Sequence, residues 1–132
     1  MRYYAALLAE GRAKSRRYAD ALDVIGIALQ TVTEPGVGFY VSELHRLRGI
    51  CLMRIDPANG ADAMDAHRVA LEIAAKQGTT LLELRAAVSL ARTAIAIGRP
   101  SEGLSPLRDL YASLPKEFQS DSLGDAKDLL SG

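Results

Sequence analysis

The stretch Asp20-Ala21-Leu22-Asp23-Val24-Ile25-Gly26-Ile27-Ala28-Leu29 decides the fold. Its apolar residues Ala21, Leu22, Ile25, Ala28 and Leu29 share one face of an α-helix, because positions three and four apart lie one above the other. The pattern of a small residue followed by apolar positions one and two turns later then recurs about every forty residues, as Ala63…His67…Ala70-Leu71 and as Gly103-Leu104…Leu107…Leu110-Tyr111. Each copy follows another helical segment with its own seam of apolar and small residues: Leu7-Leu8-Ala9, Leu44…Leu47…Cys51 and Val88…Leu90-Ala91…Ala94. A helix pair returning at such a period marks a stack of hairpins that bury their faces on one another.

Composition agrees. Aromatic residues make up 5% of the chain, with no Trp, while Ala and Leu dominate. Ala lets helix backbones approach and Leu fills the grooves between them. No sustained alternation or β-branched run flanked by hairpin turns suggests a strand. The expected fold class is all-α. At 132 residues the chain fits a single domain, 1–132, with hairpins over about 2–33, 39–77 and 80–114 and a cap over about 120–131.

Seven helices are expected. The first covers about Arg2 to Lys14 and the second Tyr18 to Val32, stopped by Pro35-Gly36. The third runs from Phe39 to Arg54. Asp56-Pro57-Ala58-Asn59-Gly60 reads as a loop by its turn chemistry. The fourth, Ala61 to Lys76, ends at Gly78 in a left-handed cap. Thr80 with Glu83 has capping-box spacing and opens the fifth, which Gly98 closes near Ile97. Pro100 starts the sixth from its first turn. Pro106 costs that helix one backbone hydrogen bond and kinks or delays it, and Pro115 ends it. Ser120-Asp121-Ser122 caps a short seventh helix whose Leu123, Ala126, Leu129 and Leu130 cover the open end of the stack.

Functional chemistry is sparse. The 48% apolar and 24% charged residues are those of an ordinary soluble protein, and a formal net charge of zero gives no overall footprint for nucleic acid or an anionic membrane. The longest apolar runs are too short to span a bilayer, and Glu10, Arg12 and Lys14 interrupt the apolar stretch a secretion signal needs. The single Cys51 excludes an internal disulfide framework and suits a reducing cytosol, so a cytoplasmic location is expected.

His45 and His67 stand on different helices with no cysteine cluster nearby, too few ligands for zinc. His67 reads as a packed, hydrogen-bonded seam residue, and Cys51, on the buried stripe of the third helix, as an inert core thiol. Gly36-Val37-Gly38 lacks the lysine of a phosphate cradle, and no nucleophile–base pair appears. No enzyme activity, metal or cofactor is expected.

Four segments carry a family resemblance. Ser42-Glu43-Leu44-His45-Arg46-Leu47-Arg48-Gly49 is similar to A-E-L-H-R-L-R-G, and Ala70-Leu71-Glu72-Ile73-Ala74-Ala75-Lys76-Gln77-Gly78 to A-L-E-I-A-R-x-Q-G. Leu82 to Arg92 follows the same family's pattern closely. Phe118, Asp121, Leu123, Asp125-Ala126-Lys127 and Leu129-Leu130 resemble its terminal G-F-x-T-x-D-L-x-E-A-K-x-L-L motif. The chain thus resembles the tetratricopeptide-like carboxyl-terminal region of large bacterial multidomain regulators, namely class III adenylate or guanylate cyclases and transcription activators with a central ATPase module. It departs from the pattern at Arg12 and Arg17 in the first hairpin. His67 stands where an aromatic is usual, and Gly103 where an alanine is. The interval also exceeds the tetratricopeptide's roughly 34 residues.

The resemblance implies a right-handed superhelix of three hairpins plus a capping helix, acting as a non-catalytic scaffold or sensor. In stacked hairpins the first helix of each pair lines the concave surface, which makes Tyr3, Glu10, Lys14, His45, Arg85 and Arg92 the candidate binding residues. The rival reading of the arginines is structural, as interhelix ion pairs with Glu43 or Glu83. The basic cluster Arg12, Lys14, Arg16 and Arg17 reads as a solvated turn. Expected partners are a protein or peptide, including domains of the chain's own parent protein, with no nucleic acid and no membrane. The alternative function is self-assembly, a homodimer formed through Tyr3, Tyr4, Leu7 and Leu8 of the first hairpin.

Overall fold

A computed structural model of the chain describes residues 18–31, 39–114 and 126–130. Every regular element among them is helical: α1 (Tyr18–Thr31), α2 (Phe39–Ile55), a 3₁₀ turn (Pro57–Asn59), α3 (Gly60–Gln77), α4 (Thr80–Ala96) and α5 (Pro100–Ser113), with residues 126–130 forming a further helical segment. The expected first helix and the start of the seventh lie outside the described residues. Each helix packs on its neighbours in sequence, and α2 also packs directly on α4.

The recurring signature is the buried seam. Ala21, Ile25 and Ala28 of α1, Ala63, His67 and Ala70 of α3, and Gly103 and Leu107 of α5 are all buried. On α1 they pack against Leu44, Leu47 and Cys51 of α2. Met64 of α3 meets Leu90 and Ala94 of α4. Leu107 of α5 meets Leu84, Ala87, Val88 and Ala91 of α4, and this cluster includes Ala126, with Leu129 and Leu130 packed against it. The helical segment at residues 126–130 therefore covers the α4–α5 pair, as its apolar face suggested.

Small residues at two crossings explain the departures at Gly103 and His67. A Cβ on Gly103 would stand 2.6 Å from Ala91 Cα and 2.8 Å from Leu90 O. The α4 and α5 backbones touch there, so even the alanine usual at this position would not fit. A Cβ on Gly49 would lie 2.5 Å from His67 Cε1 and 2.9 Å from Ala63 O. The imidazole thus occupies the room that glycine leaves on α2. Beside it, Ser42 Oγ donates to Ala70 O at 2.8 Å, a buried bond that ties α2 to α3.

The connections correct three expectations. Asp56–Gly60 is not an open loop. Asp56 caps the 3₁₀ turn by accepting from Ala58 N at 2.9 Å, Asn59 Nδ2 donates to Leu52 O at 3.0 Å, and Gly60 is already the first residue of α3. The Thr80–Glu83 capping box does not form: Thr79 is the N-cap of α4, without a side-chain cap bond. Its hydroxyl instead donates to Ala74 O at 3.2 Å, completing the end of α3. The local reason is Gly78, left-handed as expected at φ 69°, which lets Thr79 N reach Ala74 O at 3.1 Å and turns the chain after two residues. Gly98, at φ 77°, repeats the device with Arg99 N on Ala94 O at 2.8 Å. Finally, Pro106 does not delay the helix it interrupts. Helix α5 starts at Pro100 and continues through Pro106 to Ser113, where Leu114, extended as residues before proline prefer, stops it.

Candidate functional site

Helices α2 and α4 meet along a line of polar side chains. Glu43 of α2 holds two arginines. Arg46 Nε donates to its Oε2 at 2.5 Å within the helix, and Arg85 Nη1 of α4 donates to its Oε1 at 2.5 Å across the interface. The Glu43 and Arg46 side chains are each only 15% exposed, which shields this pair from solvent screening. One turn further on, Arg46 Nη1 reaches Ser89 Oγ of α4 at 3.5 Å, the outer limit of a hydrogen bond.

Beyond Arg46 the two helices part around a cavity of about 470 Å³. Arg46, Ile50, Met53 and Arg54 of α2, Pro57 of the 3₁₀ turn, His67 of α3, and Ser89, Arg92, Thr93 and Ala96 of α4 line it. Three arginines and two hydroxyls thus surround the space, and no carboxylate lines it. Ile50, Met53, Pro57 and Ala96 supply the apolar wall.

His67 is the chemically unusual member. It is fully buried, and neither Nδ1 nor Nε2 has a hydrogen-bond partner, which corrects the expectation of a hydrogen-bonded residue. Its seam neighbours Ala63, Ala70 and the bare Gly49 carry no polar side chain. Burial, seconded by the positive charge of Arg46, pushes its pKa down to about 4, so the ring is neutral at pH 7. A buried polar atom without a partner costs about 1–3 kcal/mol, so this arrangement is expensive for the fold.

The predicted site residues fare differently. Arg92 lines the cavity. Arg85 sits on the same face, but its guanidinium is engaged by Glu43, the structural role weighed against it. His45 is half-buried on α2 and not part of the cavity lining; burial, then Arg48, lowers its pKa. Tyr3, Glu10 and Lys14 lie outside the described residues. Cys51 is buried and its thiol is pushed up to about 11 by burial. Among the described residues no group of three or more His, Cys, Asp and Glu side chains is placed to hold a metal ion, and no helix is long and apolar enough to cross a membrane.

Arg46, Arg54, Ser89 and Thr93 were missed by sequence reading. Their one available signal was spacing: Ser89, Arg92, Thr93 and Ala96 recur on one face of α4, as do Arg46, Ile50 and Met53 on α2.

Comparison with known proteins gives one long relative. Over 79 residues, 60% of this chain, the sequence is 39% identical to an uncharacterised protein of Rhizobium meliloti (strain 1021), and the match spans 8% of that protein's length. No family model and no solved structure matches the chain.

Proposed function

We propose that this chain is a non-catalytic helical-repeat module of the tetratricopeptide-like kind, a right-handed superhelix of three hairpins and a cap that scaffolds a protein partner in the cytoplasm. The observation that carries the reading is the direct meeting of α2 and α4 in a single polar wall, with Arg46, Arg54 and Arg92 around one cavity. First helices of successive hairpins line the binding groove of stacked-hairpin proteins. The basic character of this wall selects an acidic peptide segment, supplied by another protein or by a further domain of the parent chain. The relative from Rhizobium meliloti supports the second source, because the matched stretch is a small part of a far longer protein. The four segments similar to multidomain regulators point the same way. A regulatory role follows if an occupied groove alters how α2 and α4 lean on each other and so biases an attached domain.

A peptide array in which acidic residues are scanned through each position tests this. The wild-type chain should retain acidic peptides, and Arg54→Glu and Arg92→Glu should lose them while the far-ultraviolet circular dichroism stays unchanged. Retention that ignores peptide charge, or that survives both substitutions, would remove this face as the binding surface. The homodimer alternative rests on Tyr3, Tyr4, Leu7 and Leu8, outside the described residues, and no feature of the described helices favours it.

A further inference from the structure

We propose that the cavity between α2 and α4 is a binding site for a small organic anion, a carboxylate or phosphate ester on an apolar body, held over His67 by Arg46, Arg92 and Arg54. This goes beyond a peptide groove: it concerns the pocket that opens within that face and a ligand of another size class. Five observations converge on it. The volume of about 470 Å³ lies within the range of small-molecule sites. Its lining pairs three guanidinium groups with the Ser89 and Thr93 hydroxyls and contains no acid, a donor set suited to anionic oxygens. Arg46 is already oriented, because Glu43 grips its Nε edge while Nη1 points to Ser89. Its neighbours Ile50, Met53, Pro57 and Ala96 favour an apolar body over a bare ion.

The fifth observation is His67. A buried imidazole with neither nitrogen satisfied needs an explanation, and seam packing alone supplies none, since an apolar side chain would fill the space beside Gly49 without the polar cost. As the neutral ring it carries one donor and one acceptor. The ring is sealed from solvent, with its Nε2 edge against Gly49, so a bound anion acts on it through Arg46, by offsetting the charge that helps keep the ring neutral.

The test follows the imidazole by NMR in the full chain, with benzoate, phenyl phosphate, inorganic phosphate and benzyl alcohol as probes. Benzoate or phenyl phosphate should shift the His67 Cε1–H resonance and raise the pKa of His67 from its low free value. Whichever of the two binds more tightly identifies the head group. Arg92→Gln and Arg54→Gln change exposed side chains and leave the core intact. Each should weaken binding about tenfold or more, the loss expected when a charged hydrogen bond is removed. Benzyl alcohol acting as well as benzoate would show that charge is not recognised, and inorganic phosphate matching phenyl phosphate would show that the apolar wall is idle. Either result overturns the proposal, as does an unmoved His67 or an affinity unchanged in both variants. Peptide retention is read independently, so the groove can fail while the cavity binds, or the reverse.

Discussion

Mild acid should destabilise this protein through one imidazole. In the unfolded chain His67 titrates near 6.5, whereas in the native helices burial and Arg46 hold it down to about 4. Below pH 6.5 the unfolded state takes up a proton that the native state refuses, so stability falls as pH falls. The dependence flattens below the native pKa, where both states are protonated. Each unit of difference is worth about 1.4 kcal/mol, giving a loss of about 2 kcal/mol between pH 7 and pH 5 and about 3 kcal/mol by pH 4. That is a large share of a typical domain's margin of about 5–15 kcal/mol. Urea unfolding at a series of pH values measures it, with His67→Met as the reference, since methionine adapts to the seam and does not titrate. The carboxylates and His45 are common to both proteins, so the difference between the two curves isolates His67. Curves that run parallel from pH 7 to pH 4 would refute the reasoning and show that the native ring takes up a proton as readily as the unfolded one.

Two further outcomes follow from the packing. Gly103→Ala forces a Cβ against the α4 backbone and should cost about 1–3 kcal/mol, while Gly26→Ala, with nothing within 4 Å of its Cβ, should stabilise α1 by up to about 1 kcal/mol; thermal melts of the two should move in opposite directions, and a shared direction would contradict the close crossing at Ala91. Cys51, buried with its thiol pushed up to about 11, should resist a thiol-disulfide reagent in native buffer and react only as fast as the protein opens, whereas rapid labelling of the folded chain would place the sulfur at the surface.

The seams were legible in the sequence because they are periodic. Ala21, Ile25 and Ala28, or Ala63, His67 and Ala70, fall on one face by spacing alone, whatever they pack against. Gly78 and Gly98 were legible for a similar reason, since ending a helix in a left-handed residue is a local act. Competition between two local signals was not. Thr80 and Glu83 spell a capping box, but once Gly78 has turned the chain, Thr79 is placed as the cap and its hydroxyl is drawn back to Ala74 O. Asp56–Gly60 carries turn residues and still folds into regular structure, because Asp56 and Asn59 each satisfy backbone groups with their side chains. The cavity was the least legible part. Its lining comes from three helices and the 3₁₀ turn, and neither orphaned nitrogen of His67 can be foreseen without knowing that Gly49 lies against the ring. Arg85 shows the complementary limit: its place on α4 was legible, and only the meeting with Glu43 of α2 shows that its charge is engaged.

The matching turns at Gly78 and Gly98 have a bearing on how such a protein can diversify. With two or three residues between helices and every backbone N–H at the bend committed, neither joint tolerates a change of length without unwinding a helix end. Between α2 and α5 that leaves the Asp56–Asn59 connection as the segment where residues can be added or removed most cheaply, and Pro57 on this connection forms part of the cavity wall. Drift in chain length is thereby steered toward the mouth of the cavity. The frame stays constant while the rim of the cavity is free to change.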